Sequence, residues 1–293
     1  MNPVRKPVLV TGVTGRQGGA TAAQLLAAGL PVRALVRDPA APAARAWLAR
    51  GAELRAGDLD DPRSLAEAAA GSHGIFGVTP DDEDTEREIR RGRNLADAAA
   101  AAGVSHFVFA SVGGAERGSG LPYWESKRRI EEYVHALGLP ATILRPVRFM
   151  ENHTVPGLPV GGIAGGELRH LFGPETPVQL IAVTDIGVFA RLAFTRPEEY
   201  AGQAIEIAGD ELTPSRTVEL ISRAVGREIT YRQVADYGAG LSAQAKRLFA
   251  DERGVWRADI AALRARHPGL LDFPAWLRNG GAAEIRALLA RER

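Results

Sequence analysis

The chain contains no cysteine. That excludes disulfides, thiolate metal sites and any cysteine-based redox switch. Its six histidines are scattered, with no His-x-x-x-His pair, so no metal site is expected. Neither sign of charge predominates: 36 Lys and Arg residues balance 35 Asp and Glu residues, and the basic ones are spread along the chain. Such a composition gives no sign of a nucleic-acid or membrane partner. A long apolar run is also missing. The most apolar stretch, 95–115, is interrupted by Asp97, Gly103, Ser105 and His106. It reads as a helix end, a turn and a buried strand rather than a membrane span. Met1 to Lys6 carries no apolar signal segment, and a cytoplasmic location is the expectation. No internal repeat is present. With 293 residues the chain can bury a large core, either as one domain or as one with a subdomain.

What is present begins at residue 7. The apolar run Pro7-Val8-Leu9-Val10-Thr11 leads into Gly12-Val13-Thr14-Gly15-Arg16-Gln17-Gly18-Gly19 and then an alanine- and leucine-rich helical pattern over 20–28. A strand, a glycine turn and a helix form a pyrophosphate cradle. Glycine lets the backbone turn sharply and approach the phosphates, and the helix N-terminus offers free N–H groups. A second apolar run, Pro31-Val32-Arg33-Ala34-Leu35-Val36, ends at Arg37. In a dinucleotide site the adenosine ribose lies at the end of this strand. An arginine there suits a 2′-phosphate, where an acidic residue would suit a free hydroxyl, so the cofactor read from the residues is NADPH/NADP+. Arg16 either reaches the same phosphate or faces solvent. Asp58 and Leu59, after the next strand, either border the adenine or form a turn before Pro62.

Short apolar runs then alternate with helical patterns. Strands are predicted at 52–56, 74–78, 104–111 and 139–145, and helices at 63–70, 83–102 and 123–137. Strands apolar on both faces, separated by helices, imply a parallel sheet covered on both sides. The fold class is therefore α/β, a Rossmann-type doubly wound sheet with a smaller, interleaved, mainly helical C-terminal substrate subdomain. The expected boundaries are 1–153 for the nucleotide-binding domain, with a returning segment at about 178–209. Residues 154–177 and 210–293 form the subdomain. In the returning segment 178–182 reads as a strand, and Asp185 as the cap of a helix over 186–194. Residues 204–208 read as a further strand, and Thr213 or Ser215 starts the next helix. Tyr237, Phe249, Trp256, Phe273 and Trp276 are interspersed through the last 60 or so residues and read as packing aromatics.

A second constellation bears on chemistry. Tyr123 and Lys127, four apart, share a helix face. Ser111 ends the fifth strand, at the carboxyl edge of the sheet where ligands bind. Ser111, Tyr123 and Lys127 so placed suit reduction of a carbonyl. The serine holds the substrate oxygen, the tyrosine protonates it, and the lysine lowers the tyrosine pKa and holds the nicotinamide ribose. Alternatively, Ser111 only caps the following turn and Tyr123 packs at the helix start.

The chain resembles the NmrA-like and HSCARG-like group of atypical short-chain dehydrogenase/reductases. The resemblance is carried by residues 11–19, Arg33-Ala34-Leu35-Val36-Arg37-Asp38, Gly57-Asp58-Leu59-Asp60-Asp61, and Lys127 with Glu131-Glu132-Tyr133. Leu144-Arg145-Pro146 followed by Phe149-Met150-Glu151-Asn152, Val183-Thr184-Asp185-Ile186-Gly187 and the segment 267–277 carry it further. It implies a Rossmann domain, an NADP(H) preference and a small C-terminal subdomain over the nicotinamide end. The expected cofactor contacts are Gly12, Thr14, Gly15, Arg16, Gln17, Gly18, Arg37, Asp58, Leu59, Val78, Thr79, Lys127 and Pro146. Phe149, Asn152 and His153 are the expected substrate contacts, or else a helix cap with exposed polar neighbours. The resemblance implies an NADPH-dependent reductase of a small carbonyl, quinone or similar acceptor. The alternative is a non-catalytic NADP(H)-binding redox sensor that acts through a protein partner. Tyr123, which many relatives lack, favours the enzyme. Gly77-Val78-Thr79-Pro80 stands where the wider superfamily carries an asparagine motif and favours the sensor.

Overall fold

A computed structural model describes residues 6–158, 160–235 and 241–291; Tyr237 lies outside them. The first half of the chain forms β1 (Val8–Val10), α1 (Arg16–Ala27), β2 (Val32–Val36), α2 (Pro42–Ala49), β3 (Glu53–Ala56), α3 (Pro62–Ala69) and β4 (Gly74–Gly77). It continues through α4 (Thr85–Ala101), β5 (His106–Ala110), α5 (Pro122–Ala136) and β6 (Ala141–Pro146). The second half forms β7 (Arg148–Phe149), β8 (Ile163–Ala164), β9 (Glu167–His170), β10 (Val178–Ile181), α6 (Val183–Thr195), α7 (Pro197–Tyr200), β11 (Ala204–Ile207) and β12 (Asp210–Leu212). The chain ends with α8 (Pro214–Val225), β13 (Thr230–Gln233), α9 (Ala243–Phe249), α10 (Ile260–Arg266), α11 (Phe273–Trp276) and α12 (Ala282–Arg291).

Two compact units result, the first comprising Met1–Glu116, Pro122–Arg145 and Thr184–Ile205. Its sheet has seven strands in the order β11-β6-β5-β4-β1-β2-β3. The pairings that join β1 to β6 in this order are all parallel. The order reverses between β1 and β4, which makes the ends of these two strands the switch-point crevice of an open parallel sheet. Strand faces are apolar on both sides, so Leu9, Ile75, Phe107 and Phe109 all lie buried in the core with Leu65, Leu95 and Ile130 from the helices. Two close helix approaches use missing side chains. A Cβ on Gly92 of α4 would lie 2.6 Å from Ile130 of α5, and one on Gly187 of α6 would lie 2.6 Å from the Ala20 backbone of α1. The motif at 183–187 thus has a packing reason. Asp185 is not the cap of its helix, because α6 already starts at Val183 and places Asp185 buried in the first turn.

The second unit comprises Arg117–Leu121, Pro146–Val183 and Glu206–Arg293. It is less purely helical than the sequence suggests. Three-stranded sheets β12-β10-β7 and β13-β9-β8 accompany its helices. Strands of two to four residues are too short to show a period of two, which is why they escape a pattern reading. β10 is a strand as expected, but it pairs with β12 and β7 and not within the large sheet. Thr213 caps α8 by accepting from Arg216 N at 3.2 Å. Trp256 and Trp276 are buried, the former against Phe172 at 5.7 Å and the latter stacked on Phe273 at 5.3 Å.

Three histidines are buried uncharged. Burial first, and the charge of His73 second, lowers His106 to about 4. Burial, then the charge of Arg148, lowers His153 to about 4 and drives His170 well below its ordinary value. The unfolded chain takes up these protons near pH 6.5. Between pH 6.5 and 4 the unfolded state therefore holds more protons. Stability present above pH 6.5 is lost as the pH falls, by about 1.4 kcal/mol per pH unit for each histidine. Urea midpoints should fall steeply from pH 6.5 to 4.5, and a flat profile would contradict neutral histidines in the fold.

Candidate functional site

The glycine turn follows directly from β1. Gly12 has φ +60°, and a Cβ there would lie 2.7 Å from Val78 Cγ1. The loops after β1 and β4 are tied together: Thr11 Oγ1 donates to Val78 O at 2.9 Å and accepts from Val78 N at 2.8 Å. Gly15 is the N-cap of α1 and provides no side-chain acceptor, so the first-turn N–H groups are open to a ligand. Gly18 is buried with its Cα against the turn; a Cβ would be 2.3 Å from both Gly12 O and Thr11 O. Gln17 Oε1 is a buried acceptor with no donor among the described residues. Thr14 and Arg16 are exposed beside the turn. An uncapped helix end, a close backbone approach and an orphaned acceptor all fit a phosphate-bearing, hydroxyl-bearing ligand.

Arg37 and Asp38 are exposed just past the end of β2. Arg37 makes no ion pair with the described residues, in contrast to Arg33 in the same strand. Arg33 is buried, pairs with Glu53 at 3.0 Å and donates to Ala68 O and Ala70 O. Asp58 forms a turn, its Oδ1 accepting from Asp60 N at 2.9 Å, and Asn94 pins Leu59 O at 2.9 Å.

Lys127 is 3 % exposed, and its neighbours were not evident from sequence. Its Nζ lies 2.8 Å from Glu88 Oε1 and donates to Thr79 Oγ1 at 2.7 Å. Thr79 in turn donates to Glu88 at 2.8 Å, and Ser126 also donates to Glu88. Glu88 is wholly buried. The missed signal was a carboxylate on the apolar stripe of α4, on the same face as Gly92 and Leu95. The close approach at Gly92 brings that face onto α5. Tyr123 lies beside this group, its ring centre 5.9 Å from Lys127 Nζ.

Here the structure departs from the expected electrostatics. The Tyr123 phenol is not lowered by Lys127. Desolvation, then the charges of Asp81 and Glu88, hold it above its ordinary value, although 37 % of the residue is exposed. Glu88 pairs with Lys127 at 2.8 Å, so the lysine presents no unpaired charge to offset the desolvation. Ser111 is also engaged: its hydroxyl donates to Glu131, which pairs with Arg145 at 2.6 Å. All these residues belong to the first unit.

Pro146, Phe149, Asn152 and His153 fall in the second unit. Pro146 is buried at the end of β6, and Phe149 and Asn152 are half-buried. His153 is not an exposed polar residue. It is 3 % exposed, its Nδ1 donates to Met150 O at 2.8 Å, and its ring meets Phe273 edge-on at 5.3 Å. Glu151 accepts from Val183 N and from Trp276 Nε1, each at 3.1 Å, which gives it a structural part.

The profile of the NmrA-like family matches residues 4–238. The chain is 33 % identical to an NAD(P)H azoreductase of Xenophilus azovorans over 225 residues, 76 % of each chain. It is 32 % identical to a (4-alkanoyl-5-oxo-2,5-dihydrofuran-3-yl)methyl phosphate reductase of Streptomyces griseus over 243 residues, 82 % of this chain and 81 % of that one. Among solved structures, the negative transcriptional regulator Nmra in complex with NADP superposes with a TM-score of 0.79 at 23 % identity, covering 97 % of this chain and 98 % of that one. The same regulator in complex with NAD superposes equally well, with a TM-score of 0.79.

Proposed function

The chain belongs to the NmrA-like family, and on that premise we propose that it is an NADPH-dependent reductase of a small quinone, carbonyl or comparable acceptor. The observation that carries the reading is the uncapped N-terminus of α1 behind a glycine turn too tight for any side chain at Gly18. Relatives named as an NAD(P)H azoreductase and as a reductase support the reaction class.

When bound, a reduced nicotinamide supplies the hydride. Gly12, Gly15 and Gly18, with the first-turn N–H groups of α1, hold the pyrophosphate. Arg37, with Arg16 beside the turn, faces the 2′-phosphate. Thr79 and Lys127, joined at 2.7 Å, offer a polar edge for the nicotinamide ribose. Tyr123 keeps its proton across the working pH range and is a weak acid. This favours acceptors whose reduced oxygen is a stabilised anion that water can protonate, such as quinones, over simple ketones, which need a stronger general acid.

The test is NADPH oxidation with a panel of quinones, azo dyes and carbonyls. NADPH should outperform NADH, and Arg37→Ala should remove that preference. Tyr123→Phe should lower turnover of carbonyls about 100-fold and that of quinones by less than about 10-fold. No oxidation with any acceptor would end the reductase reading.

A second reading is favoured by Ser111 and Lys127, whose polar atoms are engaged by Glu131 and Glu88. The protein would then report the NADPH/NADP+ ratio to a protein partner. Such a sensor needs different affinities for, or shapes with, the two nucleotides. Its partner capture would survive Tyr123→Phe.

A further inference from the structure

The second unit has a small, half-open pocket of about 20 Å³ that the reductase reading does not use. Its walls include Leu168, Val178, Leu180 and Pro214, and no Asp or Glu lines it. Two groups on its lining carry N–H donors that no described residue engages. Arg148 has five guanidinium N–H groups, and its one hydrogen bond to a described residue is from Nη2 to Val160 O at 2.8 Å. The guanidinium occupies space that Gly161 leaves open; a Cβ there would overlap it at 1.3 Å.

His170 is the second donor. It is 5 % exposed, and its Nδ1 accepts from Leu171 N at 2.9 Å and from Phe172 N at 3.4 Å. In the neutral ring the proton therefore resides on Nε2. That Nε2–H is buried and has no acceptor. The polar neighbours on the lining lie out of hydrogen-bond reach of it and have their own partners. Tyr231 donates its hydroxyl hydrogen to Phe172 O, and Thr217 donates to Thr213 O at 2.9 Å.

A half-buried guanidinium with N–H groups left over and an orphaned buried donor both favour an acceptor beside them, and one group serves both. We infer that Arg148 and His170 form a site in the second unit for a single small anion or for the terminal oxygen of a carboxylate. The cavity has room for one water-sized group, which limits the ligand to a halide, a formate or the end of a larger acid. A water molecule is the competing occupant, and it carries no charge to balance Arg148.

The test uses the full chain without nucleotide, so its outcome is independent of turnover. Thermal unfolding is compared at equal ionic strength in methanesulfonate, whose tetrahedral head is too wide for the pocket, and in chloride, bromide, formate and benzoate. At concentrations about tenfold above Kd, Tm should rise roughly 2–5 °C over methanesulfonate in chloride, bromide and formate. Arg148→Met and His170→Phe should each abolish that difference. Stabilisation by formate but not benzoate identifies a free small ion as the ligand; stabilisation by both identifies a carboxylate carried on a larger molecule. If neither variant folds, bromide-soaked crystals of the unaltered chain decide, through an anomalous peak in contact with both side chains. Equal Tm in all five salts, a salt difference that persists in both variants, or no bromide at Arg148 would overturn the site.

Discussion

Gly18→Ala is expected to weaken nucleotide binding about 10- to 100-fold while leaving a folded protein. The added Cβ would meet Gly12 O and Thr11 O at 2.3 Å, and both are backbone atoms that cannot rotate away. Relief requires α1 to move off the turn, at about 1–3 kcal/mol for the overpacking. That motion displaces the N–H groups proposed to hold the phosphates, so the strain should be felt in affinity as well as in stability. Gly29→Ala separates the two effects. Gly29 has φ +70° and no atom within 4 Å of an added Cβ, so its replacement strains the backbone without touching the turn. Fluorescence titration with NADPH, with Tm measured in parallel, checks the contrast. Affinity within twofold of the unaltered chain in Gly18→Ala would remove the glycine turn from the nucleotide site.

The turn was readable in advance because its determinants are local. A strand buried on both faces, a positive-φ glycine and a close-approach glycine all leave marks within about a dozen residues. The five strands that follow were legible for the same reason, since each is a short apolar run closed by a turn. What failed to show depends on contacts distant in sequence. The pattern of Val178–Ile181 gives burial but not a partner, so the strand was expected in the large sheet when it pairs with Asp210–Leu212. α2 escaped notice because half of Pro42–Ala49 is alanine and it has a single large buried side chain, Trp47. The Ser, Tyr and Lys set was legible as residue types at a sheet edge. Its electrostatics were not, because Glu88 and Glu131 are brought to Lys127 and Ser111 only by packing of α4, α5 and β5. Charge balance at a buried site is a property of the tertiary structure, and a motif records half of it.

That balance yields the other large effect. Lys127→Met alone is expected to cost about 3–5 kcal/mol, since it leaves the wholly buried Glu88 carboxylate with only the hydroxyls of Thr79 and Ser126. Glu88→Gln should be comparably costly, because it strands the ammonium of a residue 3 % exposed. Joined in one protein, the two substitutions remove both charges and should give a variant more stable than either single one, a coupling larger than about 3 kcal/mol. Urea midpoints of the four proteins measure this cycle. The same four proteins also separate two tasks for Lys127. If the lysine only neutralises Glu88, NADPH affinity and turnover return with stability in the double variant. If it also faces the nicotinamide ribose, stability returns while NADPH affinity stays depressed, and this is the expected result. The ammonium has three N–H groups, and Glu88 and Thr79 Oγ1 engage two of them at 2.8 and 2.7 Å. Its third direction meets Thr79 O only at 3.5 Å, which leaves that N–H the weakest held and the one a ribose hydroxyl can take.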